Sequence, residues 1–498
     1  MGQSLSSITR VVIGLLCALG LYLIIKTWRA WWRLRHIAGP PLASLTSLER
    51  MRWVLSGEAH LIHQRHHDKY GELVRIAPNM VSFSNPEAIP VVYPSKPGFP
   101  KGDFYAAVRP YTRGRGQQHL VFNTIDEKRH KLLKRPIAPL YANVNVAAYE
   151  PLVDEVLRSF DKQVRQRFAG SPDGFDLGQW LQFYAFDSVG TMTFSRAYGF
   201  IQAGCDIDGI LAAINDFMRT SAPMSQVPWL DQILRKNIVG DAVQRLLGHR
   251  ASTHLIGFCA KAFEDRKAGV TEADEKALKD AHGAEDFLSH FLKLQEADPG
   301  IPSWAPISWT FSNVVAGSDS SASIMRTTMF NLLTNPHTLD KLYQELSASS
   351  SQGVFPAYKD IRNLPYLDAC VLEGARHHPP FALPLERVVP KGGVIVLGQY
   401  LPEGVVVGAN PYVVNRDRAT FGLDAEIWRP ERWIEYGEEH KKKLEQALLT
   451  FGAGRRVCLG KYVGILNIKK MLSYLVLNYK VRLVPANSKS QGRTLLKQ

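Results

Sequence analysis

The stretch FGAGRRVCLG near the C-terminus, Phe451 to Gly460, constrains this chain more than any other. A lone cysteine, Cys458, follows a glycine-rich turn and stands directly before the helical pattern KYVGILNIKKMLSYLVL. Gly452, Gly454 and Gly460 let the backbone approach a planar group and leave N–H groups free to point at sulphur. A helix N-terminus lowers a thiol's pKa, so the pattern predicts Cys458 as a thiolate. A thiolate kept ionised in apolar surroundings is best explained by a metal on its far side. Haem iron takes a cysteine thiolate where electron density is needed to cleave an O–O bond. Arg456 is spaced to pair with a carboxylate such as a haem propionate. Any single cysteine is more often a buried inert thiol; the glycines and Arg456 at these offsets overturn that reading.

Composition agrees with a folded globular chain. Of 498 residues, 45% are hydrophobic and 21% charged, with 38 Gly and 29 Pro, which excludes collagen-like, disordered and fibrous classes. The five cysteines, at 17, 205, 259, 370 and 458, form no CxxC pair. That spacing argues against a disulfide framework or a structural zinc site and for a reducing compartment. The net charge is +14, five units of it near the N-terminus and the rest in short clusters such as Lys128 to Arg135 and Lys441 to Lys443. No nucleic-acid module accompanies them, so no nucleic-acid partner is expected.

From Val11 to Ile25 the sequence VVIGLLCALGLYLII is apolar without a break, and Ile8 extends it. That is near the lower limit of ~17–20 residues for a bilayer span. No small-residue cleavage site follows, which disfavours a removable signal peptide. Lys26, Arg29, Arg33 and Arg35 come next, among Trp28, Trp31 and Trp32; only Arg10 precedes the span. This asymmetry puts the C-terminal side in the cytosol. The expected organisation is a single-pass anchor over 1–36 with its span at 8–25, a hinge over 37–45 around Gly39-Pro40-Pro41, and one catalytic unit over 46–498. A buried core helix is the competing reading of the apolar run. No N-x-Ser/Thr sequon invites lumenal glycosylation.

Beyond the hinge, YGELVRIAPNMVSFSNP (Tyr70 to Pro86) alternates apolar and polar residues around a turn signal, predicting a β-hairpin. Helical periodicity dominates from about 126 to 350, with Pro151 to Phe168 and Pro306 to Leu333 as examples. Short strands are expected at Gly393 to Leu397 and Val405 to Gly408, around the turn Pro402-Glu403-Gly404. The chain is therefore mainly α with a small β part. His60, His63, His66 and His67 share a probable helix, and a surface helix explains them better than a metal site.

The pattern F-G-x-G-x-R-x-C-x-G resembles the haem-binding loop of the cytochrome P-450 superfamily. Two more motifs arrive in that family's order. VLEGARHHPP places Glu373 and Arg376 three apart on one helical face, ended by Pro379-Pro380, and WRPERW carries Pro430, Glu431 and Arg432. The resemblance runs from the hinge to about residue 485 and implies the P-450 fold behind one N-terminal transmembrane helix. It implies haem b held by Phe451, Gly452, Gly454, Arg456 and Gly460, with Cys458 as the axial iron ligand. It also implies a buried ion-pair network of Glu373, Arg376 and Arg432, where a surface i,i+3 salt bridge would be the plainer reading. The stretches YGELVRIAPNMVSFSNP, LPLERVVPKGG and RPERWIE are similar to fungal specialised-metabolism members of the pisatin demethylase-like group.

A further motif lies in WTFSNVVAGSDSSASIM, where Ser318, Asp319, Ser320 and Ser321 form a polar patch after Gly317. Such a patch is costly in a buried helix unless it faces water or a ligand. The family's oxygen-activation motif A/G-G-x-D/E-T maps onto Ala316 to Ser320, so the resemblance makes Asp319 and Ser320 the proton-delivering pair. Serine keeps threonine's hydroxyl but loses the β-branch that fixes χ1; a serine-rich kink without chemistry is the alternative. Where many members have Trp and Arg four apart, this chain has His130 and Lys134, with Arg135 adjacent, and either cation could meet the propionates. Arg387 is a further propionate partner by resemblance. In the helix after Cys458, Asn467 takes a commonly acidic position.

Val457 stands where a G-x-G-x-x-G fingerprint would need glycine, and no nicotinamide or flavin domain is visible. Electrons from NADPH are therefore expected through a separate flavoprotein, an NADPH-cytochrome reductase, with cytochrome b5 as a second donor. Lys128, Arg129, Lys131, Arg455 and Lys461 would form the docking face. The expected activity is a haem-thiolate monooxygenase that inserts one oxygen atom of O2 into a lipophilic small molecule of fungal secondary metabolism, at the endoplasmic reticulum membrane and facing the cytosol. By resemblance the pocket is lined from Phe104 to Phe122, by Phe311 and Val315, and by Phe381 to Leu385. The alternatives are a haem-thiolate isomerase or dehydratase needing no reductase, for which Ser320 is the only hint, and a non-catalytic haem sensor.

Overall fold

The computed structural model describes residues 27–112, 116–168, 174–237, 251–270, 283–349, 353–483 and 494–497, with scattered positions at 14–25 and 240–243. The span expected at 8–25 lies mostly outside the described residues. Among the described residues, no helix is long and apolar enough to cross a membrane; the transmembrane helix is left without structural support.

Helices α1 (Leu48–Leu55) and α2 (Ala59–Tyr70) precede the expected hairpin, β1 (Leu73–Ala77) and β2 (Met80–Phe83). The helical body follows as α3 (Glu127–Lys134), α4 (Glu150–Phe168), α5 (Leu177–Phe194), α6 (Ile210–Ser225), α7 (Ala251–Lys267), α8 (Phe287–Ala297) and α9 (Ala305–Thr334). Then come α10 (Pro336–Ser349), α11 (Pro365–His377), strands β3 (Arg387–Val388) and β4 (Val406–Gly408), α12 (Gly437–Ala447) and α13 (Lys461–Asn478). The fold is mostly helical with a small sheet part, as expected.

Helix α5 is buried along nearly its whole length, which is why its sequence reads as apolar on every face. The Asp176 carboxylate caps it by accepting the Gln179 N–H at 3.0 Å. Helix α9 runs through the main core beside α5, α11 and α13. Its flank against α5 is tight at Gly317, where a Cβ would lie 3.0 Å from Val189.

The sheet has the order β1-β2-β4-β3, with β2 and β4 parallel through Met80↔Val406 and the other pairs antiparallel. The later strands differ from expectation. Val394–Val396 folds back on Gln399–Leu401 as a separate hairpin, while β4 joins the main sheet. The hairpin turns at Leu397 and Gly398, both at positive φ (45° and 76°), the geometry that matches strand twist. A leucine there hides the turn from sequence inspection. The histidines of α2 also depart from a surface helix. His63 and His67 are buried, and His67 reaches the Gly71 carbonyl and the Ser82 hydroxyl through its two ring nitrogens.

One network ties the helical body to the loop that carries Cys458. Glu373 and Arg376 have no exposed side-chain surface, and Arg432 has 2%. The Glu373 carboxylate accepts both Nε and Nη2 of Arg376 at 2.8 Å, Nε of Arg432 at 3.0 Å, Nε1 of Trp433 at 2.9 Å and the Arg429 N–H at 3.1 Å. Arg376 also donates to the Asn415 carbonyl at 2.9 Å. The Asn415 side chain bonds the Thr450 hydroxyl and the Leu449 N–H, and Thr450 in turn donates to the Ala375 carbonyl. The entry to the cysteine loop is thereby pinned to α11.

Burial pushes the Glu373 carboxyl up, but Arg376, Arg432 and the Arg429 N–H outweigh it and hold the group below its usual range. A carboxyl depressed in the folded state stabilises above its unfolded pKa and loses that stabilisation as pH falls. Glu373→Gln should therefore destabilise by about 3–5 kcal/mol at neutral pH, because buried Arg376 loses its counter-charge and Arg432 keeps only the half-buried Asp424. Urea unfolding followed by tryptophan fluorescence should show this deficit, narrowing only as pH falls through the carboxylate range. Equal midpoints at neutral pH would contradict it.

Candidate active site

The cysteine loop is closed on itself before α13 begins. The Cys458 N–H donates to the Phe451 carbonyl at 2.7 Å, Gly452 N–H to Leu449 at 2.8 Å, and Val457 N–H to Gly454 at 3.1 Å. Gly454 has φ 61°, and a Cβ there would sit 2.1 Å from the Tyr93 carbonyl oxygen, so only glycine fits. Cys458 presents accessible surface at the end of this loop. Burial pushes its thiol above the ordinary value, while the Gly460 and Lys461 N–H groups and the Lys461 and Lys134 ammonium groups pull it down. The helix N-terminus expected to hold a thiolate is present but does not suffice alone. A metal ion bonded to sulphur would complete the task.

Beside this loop lies an excess of buried positive charge. Arg456, expected to meet a propionate, is instead gripped by Glu127 through Nε at 3.2 Å and Nη2 at 2.6 Å, with Nη1 on the Thr124 carbonyl. Arg455, expected in solvent, shares the same carboxylate at 3.2 Å and is only 25% exposed. Lys134 donates to the Arg455 carbonyl at 2.8 Å, and Arg387 to the Glu386 carbonyl at 2.8 Å and the Tyr105 hydroxyl at 3.3 Å. Among the described residues neither cation meets a carboxylate. His130 is buried with Nδ1 unpartnered; burial, then Arg456, Lys134 and Lys101, push it down to about 3, so it is neutral. Arg135 points outward. The uncompensated cations and the orphaned imidazole nitrogen fit a group bringing two carboxylates next to Cys458, which haem does.

On α9, Ala316 is exposed and Gly317, Asp319 and Ser320 are half-buried, between the buried Val314, Ser318 and Ser321. A core helix thus opens one face in its middle. The Cys458 end of α13 lies beside that stretch, since a Cβ on Gly464 would touch Ser321 Oγ at 3.4 Å. The polar patch is largely satisfied within the helix. Ser318 Oγ donates to the Val314 carbonyl at 2.7 Å and Ser320 Oγ to Ala316 at 2.6 Å. Asp319 turns the other way, toward α5, where its carboxylate accepts Gln182 Nε2 at 2.7 Å. The Gln182 carbonyl oxygen accepts Arg326 Nη2 at 2.9 Å, and Arg326 Nε donates to Gly178.

Among the expected pocket residues, Phe104, Tyr105, Phe122 and Phe381 meet edge to face at centroid distances of 5.1–6.1 Å. Phe311 is buried on α9. Gln182, Glu127 and Lys101 were not singled out by sequence; nothing in their local pattern marks them. Asn467 is buried with both side-chain polar atoms unpartnered, and the structure gives it no role. The α2 histidines form no metal site, since no metal-holding cluster of His, Cys, Asp and Glu occurs among the described residues.

A family model described as Cytochrome P450 matches residues 40–495. The chain is 58% identical over 467 residues to cytochrome P450 monooxygenase mfmA of Annulohypoxylon moriforme, covering 94% of this chain and 91% of that relative. It is 50% identical to cytochrome P450 monooxygenase mpaDE' of Penicillium brevicompactum over 97% of this chain, spanning 56% of that longer protein. Cytochrome P450 monooxygenase AFLA_114810 of Aspergillus flavus is 44% identical, over 98% of this chain and 95% of its own length.

Burial pushes the Asp319 carboxyl above its usual range, with Gln182 and Arg326 working against the rise. Gln182→Leu removes an amide bond to the ionised form, so Asp319 should keep its proton to higher pH. In product formed per electron donor consumed, the pH limb that Asp319→Asn abolishes should move alkaline in Gln182→Leu. An unmoved limb would take Gln182 out of Asp319's environment during turnover.

Proposed function

This chain belongs to the cytochrome P450 family, and on that premise we propose that it inserts one oxygen atom of O2 into a lipophilic intermediate of fungal specialised metabolism. The observation that carries this reading is Cys458, accessible in its closed glycine loop, with Lys134 and Arg387 near it and without a carboxylate among the described residues. Cys458 would hold the haem iron, and Lys134 and Arg387 its propionates. When bound, haem supplies the activation of O2. The chain's own residues divide the remaining work. Asp319, tethered by Gln182, takes up protons on the α5 side. Ser320 presents a hydroxyl one residue further round the helix, beside the exposed Ala316. The Phe104, Phe122 and Phe381 rings exclude water and favour an apolar substrate.

Electrons would come from an NADPH-dependent reductase, with cytochrome b5 as a second donor. Lys128, Arg129 and Lys131 are exposed on α3, which the Glu127–Arg456 pair clamps to the cysteine loop. An acidic flavoprotein surface fits that face. The N-terminal segment is read as a single-pass anchor in the endoplasmic reticulum membrane with the catalytic unit in the cytosol. The uncovered Leu21, Ile24, Trp28 and Trp32, each 49–67% exposed, support an apolar environment there.

Cys458→Ala should abolish the red-shifted Soret band that thiolate ligation gives the reduced CO complex; a variant that keeps the band removes Cys458 from the iron. Wild-type turnover should require both NADPH and reductase. Product without either would favour an isomerase or dehydratase instead.

Lys128→Glu with Lys131→Glu should slow reductase-driven turnover most at low salt, where the Debye length is ~30 Å at 0.01 M. Peroxide-driven turnover bypasses the partner and should hold. Equal losses under both regimes would point to damage at the iron site.

A further inference from the structure

Arg109 stands in the 104–122 stretch and is half-buried. Its Nε donates to the Asn123 carbonyl at 3.2 Å and its Nη1 to Gln117 Oε1 at 3.3 Å. Both acceptors are neutral, and among the described residues Nη2 has no partner and no carboxylate pairs with the guanidinium. The acids around it are spent or unbonded. The Ala106 carbonyl accepts both the Arg109 N–H at 3.2 Å and the Lys236 ammonium, but Asp231 answers Lys236 at 2.8 Å and Arg235 at 3.3 Å. Asp103 acts on Arg109 without bonding it. Burial first, then Arg129, push the guanidinium below its ordinary value. A cation that has given up water without gaining a counter-charge is costly unless an anion joins it.

The surroundings say which anion fits. Asn123 follows Phe122, whose ring meets Tyr105 and Phe381, so Arg109 is tied to the edge of the aromatic cluster. The same stretch rests on α9, where Ser308 Oγ donates to the His119 carbonyl at 2.6 Å. Ser308, Phe311 and Val315 share one face of that helix, by their spacing. The His119 ring accepts Arg129 Nη1 on Nε2 at 2.8 Å. Burial, then Arg109 and Arg129, push it down to about 4, so it is neutral and carries its proton on Nδ1, a buried atom without a partner. Two unanswered donors, one of them charged, therefore lie on a stretch pinned to the aromatic cluster and to α9. They stand apart from the cations beside Cys458. Those are Lys134, Arg387, Arg456 and Lys101, whose backbone bridges to Arg387, and none of them is among the charges acting on Arg109. We propose that Arg109 recognises the carboxylate of an aromatic acid and so places the substrate's ring among Phe104, Phe122 and Phe381. This rests on the monooxygenase reading above and names its substrate class. The His119 Nδ1–H supplies a second, neutral donor.

The test measures binding of cinnamate and of the uncharged cinnamamide to the holoprotein at neutral pH, by equilibrium dialysis and by the spin-state shift. Wild type should bind the acid about tenfold more tightly, a step of about 1.4 kcal/mol, and added salt should shrink that preference. Arg109→Gln should weaken the acid to the level of the amide and leave the amide unchanged. Arg109→Lys keeps the charge without the planar fork and should retain only part of the preference. Equal affinities in wild type would overturn the proposal, as would an intact preference in Arg109→Gln. Both ligands weakening together in Arg109→Gln would reduce Arg109 to holding residues 117–123 in place. If Arg109→Gln does not accumulate, Arg109→Lys decides, and a preference equal to that of wild type overturns the proposal. A wild type without the red-shifted Soret band would instead overturn the haem reading, since dialysis reads the acid preference independently of it.

Discussion

Glu373 is a carboxylate without water, and its two oxygens accept five donors from α11 and the segment around Trp433. Such a group leaves its surroundings little freedom. Moving any donor strands a buried charge, so the arrangement is kept as a whole or lost as a whole. Because Arg376 also holds the Asn415 carbonyl, and Asn415 holds Thr450 and Leu449, the rigidity passes to the start of the cysteine loop. Glycines at positive φ give that loop its shape, but they cannot fix where it sits. The ion network does that, which is why a motif some 80 residues upstream bears on the sulphur's position.

The loop meets a second charged assembly on its other side, and the two are built to opposite rules. Around Glu373 every charge is answered. Around Arg387, Lys134 and Lys101 the answers are missing, and His130 has given up its charge altogether. Balance in the first assembly serves the fold. Imbalance in the second makes sense only with an anionic group present, so binding that group also repairs an electrostatic deficit in the protein. The Cys458 thiol follows the same logic, since burial holds it protonated until a metal takes the place of the proton.

Local patterns were readable wherever one stretch of chain decides the outcome. The α9 span came within a residue at each end of its observed limits, because helical periodicity runs on from Pro306 without a Pro or a turn signal until Asn335-Pro336. The glycine loop around Cys458 and the first hairpin were equally local. What the sequence hid depends on partners far along the chain. Arg456 was expected on a propionate, and Glu127, more than 300 residues away, is the carboxylate that closes on it. The neutrality of His130 was equally out of sight, because it comes from burial and from the charges of Arg456, Lys134 and Lys101 gathered round it. Lys101 stood in an unremarkable loop, and only its backbone bridge to Arg387 brings it to the cation cluster. The turn at Leu397 was missed for a different reason, since a bulky residue occupies a conformation normally left to glycine or asparagine.

The pairing of Asp319 with Ser320 shows how helix geometry shapes the proposed chemistry. Consecutive helical residues point about 100° apart, so these neighbours address different surroundings. Asp319 faces α5, and the absence of a side chain at Gly317 lets α5 come close enough for Gln182 to reach it. Ser320 faces the stretch opened by Ala316, with its hydroxyl resting on the carbonyl four residues back. A proton taken up by Asp319 has to travel round the helix to be of use there, and Ser320 has to give up its helical bond to pass it on. A threonine methyl, which moves with the hydroxyl, would restrict that rotation to few χ1 settings, whereas serine turns more freely about χ1. The substitution therefore leaves the donor intact and loosens its aim, so the orientation of this step falls more heavily on the carboxylate that Gln182 holds.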